Sequence, residues 1–335
     1  MTFGLIDKAG LSFAPVGRRL VLVLAILSAP PCWAWNLTGH RLISEIAWSE
    51  LHSGTRAEVA RLLRAHPDYE RWVLNAEPGE RDRLAFIEAA TWADLIRKDK
   101  RFYSAGREEA TPVLSGFPDM KRHADWHYVN FRLDGRPGDP PLSGQLDKQL
   151  ERQLATLASP HSSTAQLSYA LTWFIHLLGD AHQPLHTCIR PDAKGQVDPQ
   201  RQDLMLNNPF NPRKTMSTVH AFWDDLPGPP WLSGAILESR ARRLRSAYPP
   251  DSSDPSTSPN GAVSASRTWI EESWRLARDY GYPANAEDSP TISEAFYKNA
   301  REITNRRLTL AAYRLAAVLN AVLSREKREK HDNSD

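Results

Sequence analysis

Disulfide bonds have almost no material to form from, because the chain holds only two cysteines, Cys32 and Cys188. That excludes the small secreted scaffolds that are stapled together by cysteine pairs. No stretch approaches the roughly 20 consecutive apolar residues of a membrane-spanning helix, so membrane insertion is not expected. Neither charge sign dominates, with 42 Lys and Arg against 40 Asp and Glu over 335 residues. The broad basic excess of a duplex-DNA binder is therefore lacking, and if phosphate is bound, something other than a lysine patch must attract it. Internal repeats and domain-splitting linkers are also missing.

What is present begins with an export signature. Residues 1–34 carry Lys8, Arg18 and Arg19, an apolar run from Leu20 to Leu27, and then Ser28-Ala29-Pro30-Pro31-Cys32-Trp33-Ala34. Basic, apolar and small residues in that order read as a secretory signal cleaved after Ala34, with Arg18-Arg19 an ordinary basic pair rather than a twin-arginine signal. Cys32 leaves with the signal, so the mature protein has no intramolecular disulfide and depends on its core or on metals for stability. We expect an exported, bacterial periplasmic or secreted protein, and a monomer.

Helical periodicity fills most of the remainder. Leu146, Leu150, Leu154 and Leu157 form one stripe, Leu167, Leu171, Phe174 and Leu178 a second, and Leu308, Ala311, Leu315, Val318 and Val322 a long C-terminal helix. Shorter patterns cover about 38–52, 55–65, 81–97, 218–226, 231–246 and 264–280. The expected fold is all-α, with a signal over 1–34, one multi-helix domain over 35–323 and a charged tail over 324–335. Asn208–Lys214 and Tyr248–Asn260 read as surface loops.

Chemistry gathers where histidine and aspartate share a helix face. His176 and Asp180 stand four residues apart, Pro184 ends that helix, and His186 can then return toward it. His220 and Asp224 repeat the spacing and could complete a site with His186. One such pair is more often a hydrogen-bonded helix pair than a metal site, but two pairs plus His186 favour metal. Asp94 and Arg97, three apart, and His127, among aromatics, are ambiguous alone: a local ion pair and a satisfied core histidine are the plainer readings. Processing after Ala34 would give Trp35 a free α-amine, which with its carbonyl could chelate a metal that His40 also reaches.

These residues carry a resemblance. The chain resembles the zinc-dependent, single-strand-specific nucleases of the S-one/P-one family, which share the fold of zinc-dependent phospholipase C. The match runs from Trp35 to Asn320: the initial tryptophan with His40 five residues on, W-A-D-x-I-R at Trp92–Arg97, H-Y-V-N at His127–Asn130, H-x-x-G-D-x-H-Q-P-L-H at His176–His186, H-x-x-W-D at His220–Asp224, W-x-x-E-S at Trp269–Ser273 and R-L-A-x-x-L-N at Arg314–Asn320. It departs at Lys194-Gly195-Gln196, where the family has a G-G-N stretch, and at Thr218, where it has asparagine. The sequon Asn36-Leu37-Thr38 is taken as chance, because a glycan would obstruct the N-terminus.

The resemblance implies three zinc ions. Asp94, His127, His176 and Asp180 would hold the first, His186, His220 and Asp224 the second, and Trp35, His40 and a bridging Asp180 the third. Arg97 falls where the family has a basic residue near the scissile phosphate, so Asp94 and Arg97 are the expected catalytic pair. Tyr128 and Asn130 fall where a base is stacked and hydrogen-bonded. Imidazole and carboxylate suit zinc, and a metal pair lowers the pKa of a bridging water enough to supply hydroxide near neutral pH. The implied reaction is in-line attack on phosphorus with the 3′ oxygen leaving, on single-stranded DNA or RNA, and on 3′-nucleotides. A base that must leave its stack to reach Tyr128 favours single strands. The competing readings are a phospholipase C, disfavoured by the His40 spacing and by aspartate at 224, and an inert zinc protein, disfavoured by the three-ligand set at His186, His220 and Asp224.

Overall fold

The computed structural model describes residues 35–136, 138–192, 194–197, 204–251, 254, 265–284 and 289–324. The signal segment 1–34 and the tail beyond 324 lie outside the described residues. Ten α-helices are described: α1 Leu37–Glu50, α2 Ser53–Arg64, α3 Tyr69–Trp72, α4 Arg81–Leu95, α5 Leu146–Ala158, α6 Thr164–Ala181, α7 Val219–Asp225, α8 Gly234–Ala247, α9 Ser266–Tyr280 and α10 Glu294–Val322. The expected all-α class is what is found, and none of the described helices is long and apolar enough to cross a membrane.

Helix α6 is the axis of the assembly because its sequence is apolar on every side. All residues from Leu167 to Ala181 are buried, the pattern of a helix surrounded by others. It packs against α1, α2, α4, α5 and α10. Its start is set by a capping box, in which the Ser163 hydroxyl accepts from the Gln166 amide at 3.3 Å and the Gln166 side chain accepts from the Ser163 amide at 2.8 Å. Pro184 stops the helix, and Pro184–Thr187 forms a 3-10 turn. Burying side chains such as Leu171, Phe174 and Leu178 is worth about 1.5–3 kcal/mol each, so cutting one to alanine costs roughly 2–5 kcal/mol. Polar residues sharing this axis must therefore be held for another reason.

Two short strand pairs brace the loops around it. β1 Phe131–Arg132 runs parallel to β2 Cys188–Ile189, with Phe131 opposite Cys188. β3 Met205–Asn207 pairs antiparallel with β4 Met216–Thr218. The sequence reading has none of these strands, because two or three residues are too few for an alternating pattern to show. The C-terminal helix also starts earlier than its apolar stripe, at Glu294, where the Ser293 hydroxyl caps the Phe296 amide at 3.2 Å; its first turns pack Phe296, Tyr297 and Ala300 against a separate apolar cluster around Phe222 and Trp223, off the stripe that begins at Leu308. The segment 208–214 is the turn of the β3–β4 hairpin.

Candidate metal centre

Each side chain singled out by the sequence sits on an element whose local chemistry aims it. Asn36 caps α1, its Oδ1 accepting from the Thr38 and Gly39 amides at 3.1 and 3.3 Å. The same side chain donates to the Gly228 carbonyl at 2.6 Å and is buried, which leaves no room for a glycan and agrees with reading the sequon as chance. His40 thus projects inward from the first turn of α1. Asp94 ends α4, and Arg97 follows in a 3-10 turn. His127 leaves the turn Ala124–Trp126, and the β1–β2 pair holds its segment beside His186, with the Val129 amide donating to the His186 carbonyl at 2.9 Å. His176 and Asp180 share a face of α6. On α7, His220 and Asp224 share another, and Thr218 caps that helix by accepting from the Ala221 amide at 3.0 Å.

These side chains converge in three groups whose ligand atoms lie within 4.8 Å of one another: His40 with Asp94 and His176; His127 with His176 and Asp180; His186 with His220 and Asp224. In the middle group His176 Nε2 and His127 Nδ1 are 3.0 Å apart, and each stands 3.2 Å from Asp180 Oδ2. Asp94 Oδ1 is 4.0 Å from both nitrogens. A tetrahedral zinc with arms of about 2.0–2.1 Å has ligand atoms roughly 3.3 Å apart, so the spacing fits. Asp180 turns its other oxygen toward His40, whose Nε2 is 3.4 Å away; one carboxylate therefore faces two groups. In the last group His186 Nε2 and His220 Nε2 lie 3.9 and 3.7 Å from the Asp224 oxygens.

Hydrogen bonds behind the ligands set their tautomers. His176 Nδ1 donates to the Ala90 carbonyl at 2.7 Å and His186 Nδ1 to the His127 carbonyl at 2.6 Å, so in both rings Nε2 presents its lone pair to the cluster. Asp224 Oδ1 accepts from Gln183 Nε2 at 2.7 Å, while Gln183 Oε1 accepts from the Leu185 amide.

The electrostatics call for a cation. Both oxygens of Asp94, Oδ1 of Asp180 and Nε2 of His40 are buried without a hydrogen-bond partner. Leaving one such group bare costs about 1–3 kcal/mol, and more if charged, so their concentration at one place is a donor set arranged for an ion. Burial opposes charge on His176, yet Asp180 and Asp94 outweigh it and lift that imidazole to about 9. In metal-free protein the positive charge the carboxylates attract is thus a proton. Burial pushes His127 down to about 4, against the hydrogen bond its ring can donate to Asp180. Burial also lowers His40, with His176 acting the same way. Burial opposes charge on Asp180, but the charge of His176, with the rings of His127 and His40 close by, holds it well below the usual carboxylate range. Asp224 is raised well above it by burial, and then by Asp225, Asp94 and Asp180, against the hydrogen bond from Gln183. The residues fit divalent metal.

The remaining expected site residues surround this cluster. Arg97 Nη1 is 3.7 Å from Asp94 Oδ1. Tyr128 is half-buried. Gly144, at φ +84°, carries the chain across it, where a Cβ would run into the Tyr128 carbonyl oxygen. Asn130 is buried, with Nδ2 donating to Ser143 Oγ at 2.9 Å. Trp35 is wholly buried at the start of α1, and the next amide, of Asn36, donates to the Asp224 carbonyl at 3.1 Å. Lys194-Gly195-Gln196 forms a tight turn closed on Asp192, whose Oδ1 accepts from the Lys194 and Gln196 amides.

Three contributors were not assigned a role from sequence: Gly179, Gln183 and the Ala90 carbonyl. A Cβ on Gly179 would stand 2.8 Å from His40 Nδ1. The signal was there, because glycine inside a helix costs about 1 kcal/mol against alanine and usually marks a close approach. Gln183 lies inside the motif at His176–His186, but nothing local shows that it meets Asp224, and Ala90 is an ordinary residue until the fold brings its carbonyl to His176.

Comparison with known proteins agrees with this construction. The family described as S1/P1 Nuclease matches residues 35–324. Endonuclease 1 of Arabidopsis thaliana is 25% identical over 329 residues, covering 91% of this chain and 93% of its own. Endonuclease 4 of the same plant is 27% identical over 327 residues, covering 94% and 97%. With the match spanning every group of ligands described above, the chain belongs to the S1/P1 nuclease family, whose members are metal-dependent nucleases.

Proposed function

We propose that this protein is a zinc-dependent endonuclease that cuts single-stranded DNA and RNA, leaves 5′-phosphate ends and also dephosphorylates 3′-nucleotides. The observation that carries the reading is the convergence of three His/Asp groups, with bare buried donor atoms, beside Arg97 and the half-buried ring of Tyr128. We assign three zincs, two of them sharing the ligands of the first two groups, which overlap at His176, and one at the last group. Asp94, His127, His176 and Asp180 would hold the first, His186, His220 and Asp224 the second, and His40 with Asp180 the third. The Trp35 amine and carbonyl would complete the third site if export removes residues 1–34. Buried Trp35, one residue from an amide bonded to the Asp224 carbonyl, keeps its backbone close to the ligand groups.

When bound, the metal would supply Lewis acidity, neutralising phosphate charge and making water acidic enough to act near neutral pH. The protein's own groups do the rest. Asp94 holds the Arg97 guanidinium where it can donate to the non-bridging phosphate oxygens as their charge grows. Water oxygen adds to phosphorus in line with the 3′ oxygen; the bond from phosphorus to the 3′ oxygen breaks, that oxygen takes up a proton, and phosphate stays on the 5′ side. Tyr128 stacks one base, which must leave its neighbours to reach the ring, so duplex is a poor substrate. Asn130, its Nδ2 held by Ser143, has its carbonyl oxygen to offer a base edge. Base preference is accordingly weak.

The test is one panel: exported protein on single-stranded DNA, RNA, matched duplex, 3′-AMP and phosphatidylcholine, with end-group analysis of the products. Single strands should be cut ahead of duplex and carry 5′-phosphate, and Tyr128→Ala should weaken oligonucleotide binding by about 1–3 kcal/mol. Ends bearing 3′-phosphate, or cleavage of phosphatidylcholine alone, would refute the assignment.

A further inference from the structure

One histidine of the α6 motif, His182, belongs to none of the three groups. It is completely buried, its Nδ1 donates to the Leu178 carbonyl at 2.8 Å, and its Nε2 accepts from Arg314 Nη1 at 3.0 Å. Burial, followed by the charges of Arg307 and Arg314, keeps the ring neutral, so its one donor and one acceptor are both used. Arg314 lies over the Trp269 ring, 5.7 Å from its centroid, and is gripped by both oxygens of Glu272 at 2.6 and 2.8 Å. Asp254 stands 3.5 Å from its other side. Arg307 donates to the same Glu272 at 2.7 Å, to Ser273 Oγ at 2.7 Å and to the His182 carbonyl at 3.2 Å. Ser273 Oγ in turn donates to the Ala181 carbonyl at 2.6 Å.

The carbonyls of Leu178, Ala181 and His182 at the C-terminal end of α6 are thus each taken by a side chain of this lattice. These belong to the carbonyls that a helix end leaves without intrahelical partners, and two guanidiniums face the negative end of the helix. The motifs at Trp269–Ser273 and from Arg314, which the metal groups leave unexplained, meet here. The position matters more than the stability. On one side of the clamped bend are His176 and Asp180; on the other are Gln183, which orients Asp224, and His186. Apolar residues can replace a buried ion network at little cost in stability, but they cannot hold three carbonyls.

We propose that His182, Arg307, Arg314, Glu272 and Ser273 form a positioning lattice that sets the spacing between the metal groups on either side of the α6 bend. This rests on the reading that those groups bind metal. The experiment uses the exported protein with Co²⁺ as the probe. Co²⁺ stoichiometry, the visible Co²⁺ absorption bands, kcat, KM and melting temperature are compared for wild type, Ser273→Ala, Arg307→Met, Arg307→Lys and the core control Leu62→Ala. Ser273→Ala removes a single hydroxyl and serves if the Arg307 variants do not fold. Ser273→Ala and Arg307→Met should shift the Co²⁺ bands and lower kcat by about 10-fold or more, the scale of outer-shell losses, while KM stays within about two-fold and Arg307→Lys recovers part of the loss. Leu62→Ala should lower the melting temperature and leave the bands unchanged. Lattice variants that melt earlier but keep wild-type bands and kcat would overturn the lattice assignment alone. Wild-type protein with no Co²⁺ bands would overturn the metal reading and this assignment with it.

Discussion

At Gly179 a single missing methyl group decides the position of a ligand. The rings of His40 and His176 stack with centroids 4.0 Å apart, and His40 reaches that position only because the helix surface beneath it has no Cβ. Gly179→Ala should gain about 1 kcal/mol of helix propensity and lose about 1–3 kcal/mol from overpacking against His40, so the net sign is destabilising. Elemental analysis should also find less zinc; a variant with raised melting temperature and full metal would show that His40 is not a ligand. His66 predicts a pH effect away from the metals. Burial, helped by Arg101 and opposed by Asp68, pushes it down to about 3, between Trp72, Trp92 and Phe117. The unfolded chain takes up the proton near pH 6.5, so the stability present above that pH is lost as pH falls toward 3, at up to about 1.4 kcal/mol per pH unit. Urea titrations of metal-free protein from pH 7 to 4 should show this slope, and His66→Phe should flatten it by one proton.

The elements divide the labour between holding and aiming. α6 carries two ligands on a rigid axis, and the turn Pro184–Thr187 brings a third back toward it. α7 is only seven residues long, and its carboxylate is aimed by the residue that caps that turn, Gln183. Gln183→Met keeps the bulk and removes both polar contacts. Chelator competition should then show metal at the His186, His220 and Asp224 group held about 10-fold more weakly, and a measured affinity equal to wild type would show that Asp224 aims itself. The β1–β2 pair does for His127 and Tyr128 what the turn does for His186: two residues of ladder lock two ligand segments in register.

Across the whole molecule, the proposed ligands come from α1, α4, α6, α7 and two loops, so on the proposed reading metal binding and folding are coupled. A ligand present at about 1,000 times its dissociation constant adds roughly 4 kcal/mol per site to the folded state. At about 2–4 °C per kcal/mol for a chain of this size, stripping the metals should lower the melting temperature by on the order of 10 °C or more, and zinc should restore it. Calorimetry with and without chelator makes the comparison. Equal melting temperatures would mean that the bare donors of Asp94, Asp180 and His40 are satisfied in some other way.

Much of this was legible without coordinates. Apolar residues recurring at helical spacing placed α1, α2, α4, α5, α6, α7, α8 and α9 to within a few residues, because burial of one face imposes a period on composition. The four-residue spacings of His176 with Asp180 and of His220 with Asp224 are local, so sequence alone determined that each pair shares a face. Which pairs meet was not local. That Asp180 turns one oxygen to His127 and His176 and the other to His40, that Gly179 opens the space for His40, and that Glu272, Arg307 and Arg314 clamp the end of α6 depend on residues as far apart in the chain as His40 and Asp180. No period in the chain records such contacts; they exist only once helix packing has brought the side chains within hydrogen-bonding distance.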